Sequence, residues 1–152
     1  MIIAFSVPSV PVAQPRQRHR VIAAAKPYAQ NYTPTEHPVN VFKTHVKTAA
    51  SQVYDGPPLE GPLLMNLLFV MPRPQSKMKK SWAKAGSPRE PHIGKPDRDN
   101  LMKSFQDALE GLLFLNDSQI YGGAVTKVLR SGHEQPHVEV VFSTTKDFEG
   151  HM

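Results

Sequence analysis

A chain of 152 residues fits one domain with a useful core and falls short of two. Its 18 Lys+Arg against 13 Asp+Glu give a formal charge of +5, which suits a polyanion such as nucleic acid better than a membrane, and no apolar run approaches the ~20 residues of a bilayer span. Zero cysteines exclude disulfides and thiolate-bound zinc, so a resident metal must be held by oxygen or histidine ligands.

The start, MIIAFSVPSVP, lacks the basic opening and long apolar centre of a secretory signal, so the expected location is the cytoplasm. Ile2 to Val7 is apolar and β-branched enough for a first strand, which Pro8, Pro11 and Pro15 end in an extended arm. Along that arm Arg16, Arg18 and Arg20 alternate with Gln17 and His19. An extended backbone projects the three arginines from one side, either as a row for phosphates or as a solvated surface strand. Residues 21–32 mix a helical Ala23-Ala24-Ala25 with Pro27 and two tyrosines and fix no element.

From Val39 to Tyr54 the positions of Val39, Phe42, Val46, Ala49, Ala50 and Val53 predict an amphipathic helix with Pro38 in its first turn. Asp55-Gly56-Pro57-Pro58 ends it. Leu63 to Met71, LLMNLLFVM, is a near-continuous apolar run, as expected of a central strand covered on both faces. Residues 72–95 have no periodicity and carry Arg73, Lys77, Lys79, Lys80, Lys84, Arg89 and Lys95 against Glu90 alone. A basic loop of that length in a small domain is either functional or disordered. Trp82, the sole tryptophan, sits among those lysines as a surface for stacking on a base or as a loop anchor.

The stretch KPDRDNLMKSFQDALEGLLFLNDSQ follows. If the chain stays extended behind Pro96 and turns helical at about Asn100, Asp97 and Asp99 face one way, Asp99 becomes the N-cap, and Lys103 lies one turn further along its face. Leu101, Phe105, Ala108 and Leu112 form the apolar stripe of that helix, Met102 and Leu109 widen it, and Gly111 stops it. Asn116-Asp117-Ser118 reads as a turn and Gln119 to Arg130 as a strand, placing Asp117 at a junction within reach of the other two aspartates. Val138 to Phe142 is a closing strand expected antiparallel to the preceding one, with 144–152 as a frayed tail. The expected fold class is α+β, a small mixed or antiparallel sheet packed with two main helices in one domain over residues 1–152.

Three converging carboxylates repel one another unless a cation joins them, and Mg²⁺ or Mn²⁺ favours such oxygen ligands together with substrate phosphate. The metal would polarise a scissile phosphate and activate water, and Lys103 would neutralise transition-state charge. The same residues also read as a capping cluster with an ordinary i,i+4 surface pair, and spacing alone leaves both readings open. The seven histidines, among them His37, His45, His92, His133 and His137, lack a metal-ligand spacing and read as surface or pH-sensitive groups.

KPDRDNLMKSFQDALEG followed by FLNDSQI resembles the signature of RusA-type Holliday-junction resolvases, in which an Asp-x-Asp-Asn-x-x-Lys helix start precedes Asp-Ala-Leu and then an Asp-x-Gln turn. VPSVPVAQPRQRHR resembles, more weakly, that family's proline- and arginine-rich segment after the first strand. The resemblance implies an Mg²⁺-dependent, structure-selective endodeoxyribonuclease of recombination and repair. It would act as a homodimer that resolves four-way junctions by paired symmetric nicks, in a bacterial or phage-infected cell. It further implies Asp97, Asp99 and Asp117 as metal-binding catalytic carboxylates, Lys103 as the cation near the scissile phosphate, and Lys127 as a recurring lysine assigned to DNA. Arg16, Arg18, Arg20, Lys77, Lys79, Lys80 and Lys84 would add backbone contacts. The chain departs from the pattern at Asn116, where many relatives carry a second acid, at Arg98, and in its longer basic loop. The alternatives are a non-catalytic branched-DNA-binding module and a less selective flap or duplex nuclease.

Overall fold

Ile3, Phe5 and Val7 alternate inward along the first strand, β1 (Ile2–Val7), and its partner is the last strand, β8 (His137–Thr144), where Val138, Val140 and Phe142 do the same. The computed structural model describes residues 1–15, 18–22, 28–32, 37–74 and 88–144, with side chains for 1–15, 37–74 and 88–144. The remaining elements are β2 (Arg18–Ile22), β3 (Tyr28–Tyr32), α1 (Pro38–Val53), β4 (Leu63–Met71), β5 (Glu90–Pro91), α2 (Arg98–Leu109), β6 (Ile120–Gly122) and β7 (Val125–Leu129). A one-turn 3-10 helix, Asp117–Gln119, precedes β6. The six-stranded sheet runs β1-β8-β4-β7-β5 with β6 also on β4, and β2 and β3 form a separate antiparallel pair. Within that sheet β6 and β7 lie parallel to β4 and the other pairings are antiparallel, so the mixed sheet and two helices make the expected α+β domain.

Helix α1 begins at Pro38, which needs no hydrogen bond at that position, and His37 Nδ1 caps it by accepting from the Val39 N–H at 3.1 Å. Its buried face is the predicted one, less Val53, which is exposed. Helix α2 is held to the sheet by Phe105, whose ring lies 6.5 Å from both Phe69 and Phe142. Burial of each such ring contributes up to about 3 kcal/mol. Gly111 ends α2 with φ +85, as its position predicts, but Leu112 points to solvent and Leu113 takes the buried place.

Three strand expectations need correction. Along β4, Leu63, Met65, Leu67 and Phe69 are buried whereas Leu64 and Leu68 are half-exposed and Asn66 is exposed, so the second face is open over residues 63–68 and covered only at Val70. The expected long strand over 119–130 is two strands, because at Gly123 (φ +126) the backbone crowds β4: a built Cβ would lie 1.8 Å from the Met65 carbonyl oxygen. β7 does not pair with β8, since β4 lies between them. At the other end Thr144 belongs to β8 and is tied to Met1 at 2.8 Å, so the expected tail starts one residue later, at 145, outside the described residues.

Candidate active site

Helix α2 starts at Arg98, two residues before the sequence placed it, so Asp97 is the N-cap and Asp99 lies in the first turn. Asp97 keeps an extended backbone (φ −68, ψ 146), and its carbonyl receives the Leu101 N–H at 3.1 Å. Its carboxylate makes no capping bond; Lys95 Nζ donates to both oxygens at 3.1 and 3.3 Å. Asp99 and Lys103 lie one turn apart on the exposed face, with Asp99 beside the positive end of the helix dipole. Arg98 spans from Asp99, at 3.9 Å, to the Val125 carbonyl, at 3.5 Å, and so faces β7.

Four hydrogen bonds fix this part of the helix. Lys127, half-buried on β7, donates to the carbonyls of Gly94 at 2.6 Å and Pro96 at 2.7 Å, pinning the approach to Asp97. Its ammonium is engaged inside the fold, a structural use that the sequence did not suggest. Ser104 Oγ donates to the Val12 carbonyl at 2.6 Å and the Gln14 N–H to the Asn100 carbonyl at 3.0 Å, so the proline-rich arm docks along α2. That docking sets residue 14 beside Asn100 at the start of α2; Arg18 and Arg20 lie on β2, and their side chains are outside the described ones. Arg16, Lys77, Lys79, Lys80, Lys84 and Trp82 lie outside the described residues.

Asp117 opens the 3-10 turn, at the predicted junction, exposed and immediately before β6. The turn is held by Gln119, a residue to which the sequence reading gave no role. Its Oε1 accepts from the N–H groups of Leu115 and Asn116, each at 2.9 Å, and its Nε2 donates to the carbonyls of Leu59 at 2.9 Å and Gly61 at 3.0 Å. These bonds hold Asp117 beyond the start of β4, since Ile120 pairs with Leu63, whereas Arg98 and Lys127 attach the α2 start to β7, whose Val125 pairs with Leu67. Four residues of β4 separate those levels, about 13 Å of strand. Asp97 and Asp99 therefore share the start of α2, whereas Asp117 sits on a different element, the turn before β6.

The donors, exposed carboxylate oxygens, have the chemistry of a hard divalent cation's ligands. Their arrangement in one chain is not yet a metal site: among the described residues no group of three or more His, Cys, Asp or Glu is placed to hold an ion.

Two arginines of the basic loop are absorbed by its stem. Arg73 is buried; its guanidinium donates to the carbonyls of Arg130 at 3.2 Å and Pro88 at 2.8 Å and pairs with Glu90 at 3.0 Å, so it joins the two flanks of the loop. Arg89 binds both oxygens of Glu134, at 2.7 to 3.2 Å, and Glu139 at 2.8 Å. The hydrogen bonds from Arg89 hold the Glu134 carboxyl down to about 2, and Glu134 in turn raises the Arg89 guanidinium above its ordinary range. Glu139 is lowered first by its hydrogen bond from His137 and then by Arg89.

The sequence pattern of the family described as Endodeoxyribonuclease RusA matches residues 8–142, most of the chain. A relative from Bacillus subtilis (strain 168), described as uncharacterized protein YqaN, is 34% identical over 143 residues, covering 91% of this chain and 94% of its own. Asp97, Asp99, Lys103 and Asp117 all fall inside the matched region.

Proposed function

This chain belongs to the endodeoxyribonuclease RusA family, and on that premise we propose that it is a divalent-metal-dependent endonuclease that resolves four-way DNA junctions by paired symmetric nicks, acting as a homodimer. The observation that carries the reading is the start of α2. It presents Asp99 and Lys103 on one exposed face beside Asp97, at the positions of the family motif, with the arm that leads to Arg18 and Arg20 docked alongside.

In this reading Asp97, Asp99 and Asp117 are the acidic ligands for Mg²⁺ or Mn²⁺, and the oxygen-only donor set supports that choice of ion. Lys103 stabilises the extra negative charge that develops on the phosphate under attack. Arg16, Arg18, Arg20, Lys77, Lys79, Lys80 and Lys84 hold the DNA through its backbone, which positions the strands without reading their sequence. Lys127 acts on DNA indirectly, through the loop it pins ahead of Asp97. Asp117 sits on a different element from Asp97 and Asp99, and in a homodimer the third carboxylate comes either from the same chain or from a second copy.

The test incubates the protein with Mg²⁺ and an end-labelled four-way junction, a flap and a linear duplex, with Asp99→Asn alongside. Symmetric nicks confined to the junction and lost in the variant are expected. Equal cutting of flap and duplex would replace the resolvase reading with that of a general nuclease. Tight junction binding without any cutting in Mg²⁺ or Mn²⁺ would leave a binding module.

A further inference from the structure

Between α2 and the β6–β7 edge lies a cleft of about 220 Å³. One wall carries Met102 and Gln106, three and seven residues after Asp99 and so one and two turns along the same side of the helix. The other wall is Tyr121 and the backbone of Gly122 and Gly123, and the buried Met65 of β4 lies at the base.

No charged residue lines this cleft, while on α2 Asp99 lies one turn before Met102 and Lys103 directly follows it. That division matches a nucleotide, whose charge is confined to its phosphate and whose base is neutral, flat and partly apolar. A phosphate handled at Asp99 and Lys103 has its base one sugar away, within reach of the cleft. The glycine wall suits a planar ring, because Gly122 and Gly123 line the cleft without a side chain of their own. Tyr121, 48% exposed, supplies an aromatic face at the rim. Gln106, half-buried, brings an amide with both donor and acceptor capacity, the group that pairs with a base edge.

We propose that this cleft takes one unstacked nucleobase of the strand being cut, with Tyr121 stacking on it and Gln106 reading its edge, and thereby sets the base preference at the nick. The proposal rests on the nuclease reading above. It assigns sequence discrimination to a neutral cleft and leaves affinity to the basic arm and loop.

The test uses the full chain and four-way junctions carrying 2-aminopurine, a fluorescent adenine analogue sensitive to stacking, at successive positions near the crossover. Binding is followed without divalent metal, and cutting is then measured in Mg²⁺ with each of the four bases at the responsive position. Wild type is expected to change the emission at one position, Tyr121→Phe to keep that change and Tyr121→Ala to lose it. Gln106→Ala should flatten the base preference there by roughly tenfold while junction affinity stays within about twofold. Emission and base preference untouched by both alanine substitutions, in variants whose unfolding midpoints match wild type, would overturn the proposal. Because the emission is read without cutting, an inactive protein that still shows the Tyr121-dependent change would refute the nuclease reading and keep the cleft as a base site.

Discussion

The stem of the basic loop and the start of α2 use the same residue types to opposite ends. In the stem, Arg73 meets Glu90 and two backbone carbonyls and Arg89 meets Glu134 and Glu139, so their charge is consumed in holding the chain together. At α2, Asp99 and Lys103 stand exposed, and the ion pairs there, Lys95 to Asp97 at 3.1 Å and Arg98 to Asp99 at 3.9 Å, join solvated groups. Such a surface pair contributes almost nothing to stability. Folding therefore accounts for the charges of the stem and leaves those of α2 unexplained by structure, which is where chemistry should be sought.

The largest expected effect tests the α2 side. Asp99→Asn should lower junction cutting by about a thousandfold, and Lys103→Ala by roughly a hundredfold, with unfolding midpoint and junction affinity nearly unchanged. Mixing sharpens the result further. If each site draws Asp117 from a second copy, Asp97→Asn chains combined with Asp117→Asn chains should regain nicking that neither has alone. Preparations that stay inactive on mixing would require all three carboxylates to come from one chain.

Gly123→Ala comes next, because a side chain there meets the Met65 carbonyl and also needs φ +126; a loss of about 3 kcal/mol or more is expected in urea unfolding. This glycine also marks the boundary of what the sequence reveals. Periodicity identified β1, β4, α1, α2 and the inward face of β8 because each is a local pattern with a buried side. Nothing local said that residues 120–129 would break in two, since the cause is the approach of a different strand, nor that β4 would separate β7 from β8. For the candidate site, the Asp97, Asp99 and Lys103 cluster was legible from spacing and family resemblance. The two-residue shift of the helix start, the Gln119 anchor and the inward role of Lys127 were not, the last two because they depend on backbone carbonyls that only the fold brings near.

Arg73→Met should cost about 2–3 kcal/mol, as the guanidinium is buried and satisfies two carbonyls and Glu90. It also separates the two uses of charge. A phosphate-binding arginine would reduce the salt dependence of junction affinity by about one charge, whereas a structural one leaves the slope where it was. The expected outcome is lower stability with an unchanged slope, and a slope reduced by one charge would move Arg73 from the stem to the DNA interface.

The smallest effect lies in the pH dependence of the stem. Glu134 has a carboxyl held near 2 in the folded chain against an ordinary value of 4.5, chiefly by the hydrogen bonds from Arg89. A depressed carboxyl stabilises the fold fully above its unfolded value, and that contribution is lost as pH falls from about 4.5 through about 2. Glu139, also lowered, adds in the same direction. Because Arg89 is 38% exposed and solvent screens the cluster, Glu134→Gln should cost only about 0.5–1 kcal/mol at neutral pH. Its signature is the shape of the curve: wild type and variant should differ most at about pH 6 and converge only below about pH 2, where the wild-type carboxyl gains its proton. A constant difference across that range would mean that Glu134 acts through packing rather than through its charge, because the bond from the Ser131 N–H, at 2.8 Å, also favours the charged carboxylate.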